Sequence, residues 1–268
     1  VTVAVLLARG IGSRMRHPDP AARLTPAQQA AAETGLKCMV PDSQGRPFLD
    51  HILAALAEAG MRRVVMVVAP EHEVLRQHLA SRPPTDLTVE FAVQAEPRGT
   101  ADAVLAARSA VGKHDFLVLN ADNLYPVEAL SALVHLDAPG LVAFERAALV
   151  REGNIEPERI RAFAILEVDP TGHLDGLIEK PDETAATTID DDALVSMNLW
   201  RFDSRIFEAC AAVRPSKRGE LELPAAVALA VRSGGRFQVV YQQAGVLDLS
   251  HQADIAAVAE RLGARQLG

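Results

Sequence analysis

Short apolar runs rich in β-branched residues alternate along the first half of the chain with segments of helical period. That alternation predicts βα units packed around a mostly parallel sheet, an α/β fold. Val3 to Leu7 reads as the opening strand, and a long polar, proline-bearing insertion follows it from His17 to Thr34. Phe48 to Ala59 has helical spacing and stops at Gly60, Val64 to Val68 reads as a buried strand, Glu71 to Ser81 as a helix and Leu87 to Val93 as a strand. Thr100 to Val111 reads as an alanine-rich helix and Phe116 to Leu119 as a fully apolar strand.

The pattern then changes. Arg161 to Val168 and His173 to Ile178 alternate in polarity, as antiparallel strands joined by a turn at Asp169 to Gly172 would. A strand at Val195 to Phe202, helices near Ser204 to Ala212 and Leu221 to Ser233, a strand at Phe237 to Tyr241 and a helix from His251 complete the expectation. Without an internal repeat or a Ser/Gly-rich linker, one continuous domain over residues 1–268 is expected, with functional halves of about 1–125 and 126–268.

Composition narrows the class. A chain of 268 residues, 49% hydrophobic and 23% charged, can bury a core unaided, and Cys38 and Cys210 cannot make a disulfide framework. No apolar run reaches the roughly 20 residues of a membrane span, and Val1 to Ala8 lacks the basic start and cleavage site of a signal peptide. A reduced, cytoplasmic enzyme is therefore expected, and self-association into a homo-oligomer is left open. The net charge of −8 argues against nucleic acid or an anionic membrane as partner, yet local basic clusters can still hold a small anion.

Chemistry concentrates where strands end. Leu7-Ala8-Arg9-Gly10-Ile11-Gly12-Ser13-Arg14 leaves the first strand for a glycine-bearing loop that lets backbone N–H groups approach an anion, with Arg14 and Arg16 as charged donors. It lacks the third glycine of a dinucleotide loop and the Gly-Lys-Ser/Thr of a P-loop, so a phosphate loop stands against a plain turn. Asp122 follows a buried strand at the edge where ligands collect, and Asp248 lies between apolar residues before a helix. Either could hold Mg²⁺ on a phosphate, or Asp122 could merely cap a turn. Gln94, able to read a base edge, precedes Gly99-Thr100, where capping alone would account for the threonine. Glu179-Lys180-Pro181 suits a hydroxyl and a monophosphate, or a surface ion pair, and Asp190 to Asp192 reads as a solvated loop.

Taken in order, these segments resemble the sugar-1-phosphate nucleotidyltransferases, whose fold is Rossmann-like and of GT-A type. Leu7 to Arg14 resembles the family's opening loop, Gln94 with Gly99-Thr100-Ala101 its base-reading segment, and Glu179-Lys180-Pro181 its Glu-Lys-Pro. Arg218-Gly219-Glu220-Leu221-Glu222-Leu223 is similar to a further family segment, and Asp122 and Asp248 fall where the family has aspartates. The resemblance implies that a sugar 1-phosphate attacks the α-phosphorus of a nucleoside triphosphate and that pyrophosphate leaves. It implies a nucleotide site of Leu7, Ala8, Gly10, Gly12, Ser13 and Arg14 with Gln94, Gly99 and Thr100. It further implies catalytic roles for Arg14, Lys37 and Lys180, sugar-phosphate contacts at Ala164, Glu179, Lys180 and Asn198, and Mg²⁺ shared by Asp122 and Asp248.

The departures cluster near the acceptor: Phe163-Ala164 for the family's Tyr-Gly, Ser196-Met197-Asn198 for Asn-Ala-Gly, and Val246 for a tryptophan. They leave open a modified-sugar or cyclitol phosphate. Arg9 replaces a small residue before the first loop glycine. Two alternatives remain: a cytidylyltransferase of phosphocholine or a related alcohol phosphate, disfavoured by one tryptophan and two tyrosines, and a noncatalytic nucleotide-sugar sensor.

Overall fold

The computed structural model describes residues 3–160, 163–178 and 193–265. Its strands are β1 (Val3–Leu7), β2 (Arg63–Val68), β3 (Thr88–Val93), β4 (Phe116–Asn120), β5 (Asn123–Leu124), β6 (Gly140–Glu145), β7 (Ile165–Val168), β8 (Leu174–Ile178), β9 (Leu194–Phe202), β10 (Gln238–Gln242) and β11 (Leu247–Asp248). The main sheet runs β10-β6-β9-β4-β1-β2-β3, with β7 and β8 attached beside β9. β1 to β4 are parallel, β9 is antiparallel to both β4 and β6, and β10 is parallel to β6. This is the α/β, mostly parallel architecture with antiparallel pairing in its second half that the sequence implied.

The helices are α1 (Ser13–Arg16), α2 (Pro26–Thr34), α3 (Phe48–Glu58), α4 (Glu73–Ser81), α5 (Thr100–Ala106), α6 (Arg108–Val111), α7 (Val127–His135), α8 (Arg146–Glu152), α9 (Pro157–Ile160), α10 (Ile206–Ala212), α11 (Leu223–Arg232) and α12 (Gln252–Arg265). They cover both faces of the sheet. Successive residues of β1 feed opposite cores: Ala4 and Leu6 pack with α3, α7 and α12, while Val3 and Val5 pack with α5, α10 and α11. Burial on both faces explains why these strands read as unbroken apolar runs. No helix among the described residues is long and apolar enough to cross a membrane.

The structure departs from the sequence reading in particular places. The insertion carries α2, started by a Thr25–Gln28 capping box with Pro26 at the first helical position. The helix expected over Thr100 to Val111 divides at Ala107, whose N–H bonds to Val104 O at 3.1 Å. β6, next to the edge strand β10, is an additional strand; its apolar residues, Leu141 to Phe144, are bounded by Gly140 and Glu145.

Candidate active site

The order β3-β2-β1-β4 reverses direction between β1 and β4, and the crevice beyond the carboxyl ends of such strands is where α/β sheets bind ligands. A cavity of about 360 Å³ lies there. Leu7, Ala8, Gly10 and Gly12 line it after β1, Asn120 to Asp122 after β4, Gln94, Gly99 and Thr100 after β3, and Lys37 and Cys38 from the chain after α2. The sequence-named groups Leu7, Ala8, Gly10, Gly12, Lys37, Gln94, Gly99, Thr100 and Asp122 are thus brought together.

Glycine is required twice in this wall. Gly12 turns with φ +59°, and a Cβ on it would stand 2.1 Å from the Gly35 carbonyl oxygen. Gly99 has φ +118°, and its Cβ would meet the Leu221 carbonyl oxygen at 2.5 Å. The close approach at Gly99 joins two segments that were separate in the sequence. Ala101 N–H donates to Leu221 O (2.8 Å), Leu221 N–H to Arg98 O (2.7 Å), and Leu223 N–H to Thr100 Oγ1 (2.8 Å). Thr100 therefore does not cap its own helix but the start of α11, which corrects the local capping account. Glu220, from the Arg-Gly-Glu segment, reaches the cavity as a consequence.

Asp122 lies two residues beyond β4, not at its end, and its Oδ2 accepts from Lys37 Nζ at 2.7 Å. Leu249 N–H donates to the Asp122 carbonyl at 2.9 Å, and β11 pairs antiparallel with β5, so Asp248 is carried beside it. Asp248 is buried in a network that sequence reasoning missed. Asn123 Nδ2 donates to its Oδ2 (2.9 Å), Asn154 brackets its backbone (2.8 and 2.7 Å), and Arg159 pairs with its Oδ1 while also holding Asp254 (2.6 Å). Burial, then the charge of Asp122, raises the Asp248 pKa against the opposing pull of Arg159. Asp122 also helps push the buried Cys38 thiol up to about 12, after burial itself, which disfavours the thiolate.

The donor set fits a divalent cation. Among the described residues no group of three or more His, Cys, Asp or Glu forms an all-protein cage. Mg²⁺ is commonly held by one or two carboxylates and completed by substrate phosphates and water; Asp122 lines the cavity, and Asp248, outside that lining, lies near enough to feel its charge.

Other expectations fall differently. Ser13 and Arg14 are exposed on α1, outside the cavity lining, although Arg14 is near enough to join Arg159 and Lys37 in holding the His251 pKa down, after burial. Ala164 lies beside β9, its carbonyl accepting from Ser196 N–H (2.9 Å), while Asn198 lies within β9, and neither lines the cavity. Asn198 takes φ +56° where the β6–β9 register shifts, and the Tyr125 hydroxyl donates to Met197 O at 2.6 Å to fix that bulge. Glu179 and Lys180, and Asp190 to Asp192, lie outside the described residues.

The profile of the nucleotidyl transferase family (NTP_transferase) matches residues 20–259. The chain belongs to that family. Among its similar proteins is the UTP–glucose-1-phosphate uridylyltransferase AglF of Haloferax volcanii, 28% identical over 97% of this chain and 96% of its own length. A glucose-1-phosphate thymidylyltransferase of Streptomyces griseus is 31% identical over 86% of this chain, which spans 58% of that longer protein. One structural neighbour is a UDP-glucose pyrophosphorylase complexed with UDP-glucose, with a TM-score of 0.75 at 16% identity and 99% coverage of both chains. The nucleotidyltransferase's glycine loop, residues 7–16, precedes the matched range and stands on its own geometry.

Proposed function

We propose that this nucleotidyltransferase joins a nucleoside triphosphate to a sugar 1-phosphate, or a modified-sugar or cyclitol analogue, and releases pyrophosphate. The observation that carries the reading is one crevice holding the glycine loop, Gln94 with Gly99, and the Lys37–Asp122 pair. The uridylyl- and thymidylyltransferase names of the relatives support a sugar 1-phosphate acceptor.

In this reading an oxygen of the acceptor phosphate attacks the α-phosphorus, the bond from that phosphorus to the bridging oxygen breaks, and pyrophosphate departs. The acceptor is already the nucleophile, so the protein's work is positioning and charge neutralisation. Loop N–H groups around Gly10 and Gly12 bind phosphate oxygens, and Lys37 neutralises charge beside Asp122. Asp122 and Asp248 would hold Mg²⁺, which supplies charge stabilisation at the reacting phosphates when bound. Arg14 is assigned to the departing pyrophosphate, Lys180 to the acceptor phosphate, and Glu179, Ala164 and Asn198 to the sugar.

The test is a matrix of nucleoside triphosphates against sugar and cyclitol 1-phosphates with Mg²⁺, read by pyrophosphate release. Release should require both substrates; equal release without any acceptor would replace the transferase reading with a hydrolase. Lys180→Ala should raise the acceptor KM and leave nucleotide affinity near wild type.

A further inference from the structure

Two polar side chains of the cavity are wired in opposite senses. Gln94 is buried after β3, and its Nε2 donates to Gly99 O (3.0 Å) and Asp102 Oδ2 (2.8 Å). Both partners are acceptors, so the amide nitrogen must face them and Oε1 is left for a ligand. Asp102, itself buried in the first turn of α5, is held by Arg98 at 2.6 Å.

Arg9 has the reverse character. Only 8% exposed, it lines the same cavity, and its one hydrogen bond among the described residues is a 3.5 Å contact from Nη2 to Ala95 O. Its Nε is shielded from solvent and has no partner among the described residues. A guanidinium has five N–H donors and no acceptor, and buried donors left unmade are costly, so this side chain calls for acceptors from a ligand.

We propose that Asp102 is a positioning residue that fixes Gln94 as a pure acceptor, and that Arg9 donates to the adjacent carbonyl of the base, so that together they select an imide edge. Uracil, thymine and guanine each present a C=O beside a ring N–H. Cytosine and adenine present an amino group and a bare ring nitrogen at those positions, which sets donor against donor at Arg9 and acceptor against acceptor at Gln94. The inference rests on the nucleotidyltransferase reading and names its donor class.

Calorimetric titration of the full chain with UTP, dTTP, GTP, CTP, ATP and inorganic pyrophosphate, all with Mg²⁺, tests it. Wild type should bind UTP about 10-fold or more tighter than CTP, the discrimination expected of one well-made base contact. Asp102→Asn supplies a donor that lets the Gln94 amide turn over, so the UTP:CTP ratio should fall to within about 3-fold, while Asp102→Glu keeps it. Arg9→Met should weaken UTP binding about 10-fold and leave pyrophosphate binding unchanged. Circular dichroism verifies folding of each variant. A wild-type preference for ATP or CTP, or an unchanged ratio in folded Asp102→Asn, overturns the inference and leaves the transferase standing. Weakened pyrophosphate binding in Arg9→Met overturns the base role of Arg9. Failure to bind any nucleoside triphosphate overturns the transferase reading itself.

Discussion

Asp122, at the cavity, and Asp248, which feels its charge from outside the lining, stand on supports of different kinds. Asp122 hangs from a backbone turn after a parallel strand, its side chain 29% exposed and, among the described residues, hydrogen-bonded to Lys37. Asp248 sits in a two-residue strand, its side chain 8% exposed, and is held by Asn123, Asn154 and Arg159 from remote parts of the chain. The first wall is built by local geometry and the second by a side-chain network, so damage should spread differently in each.

The largest effect is expected at Arg159. Arg159→Met leaves Asp248 and Asp254 buried without their shared cation, and breaking such a pair costs about 3 kcal/mol, to be read as a lower urea midpoint at unchanged m-value. Asp122→Asn and Asp248→Asn should each lower turnover about 10²-fold, the worth of one charge-stabilising group in a dry site. They should separate in stability: Asp122→Asn melts near wild type, whereas Asp248→Asn melts lower because it disturbs the Arg159 network. Equal melting temperatures would erase the contrast between the two walls.

Within the first wall, two glycines sharpen the comparison. Gly12→Ala forces a left-handed residue against Gly35 and should cost about 1 kcal/mol or more in denaturant unfolding. Gly10→Ala meets nothing within 4 Å, so it should leave stability within about 0.5 kcal/mol and instead raise the nucleotide KM.

The smallest effect concerns a support behind this wall. His51 Nε2 and Asp42 Oδ2 pair at 2.9 Å; burial lowers the His51 pKa despite Asp42. Burial opposes ionisation of Asp42 too, but the Arg46 N–H, His51 and the Gln44 N–H together hold its pKa low. A depressed folded pKa gives stability that is full above the unfolded value and lost as pH falls through the folded one. The thermal midpoint should therefore decline from pH 7 towards pH 5, and His51→Asn should flatten that decline.

Legibility in the sequence follows the same division. Gly10, Gly12, Gln94 and Asp122 were readable because each closely follows an apolar strand, and strand ends in a parallel sheet share one edge. Arg159 carried no such signal: its partners lie 89 and 95 residues away, and α9 is a single turn after an irregular segment. Arg9 was visible only as a misfit, a long cation where the family resemblance implies a small residue. The register shift at Asn198 escaped because β9 reads as one strand, and only pairing with β6 exposes it.

The last helix gives the molecule a direction in time. Gln252 Nε2 donates to Met15 O (3.0 Å), and Asp19 N–H donates to Gln252 Oε1 (3.1 Å), so α12 ties down the chain leaving the glycine loop. Gln252 emerges from the ribosome 237 residues after Met15. A nascent chain can assemble β1 to β4 long before then, yet its glycine loop lacks this fastening until Gln252 has been made.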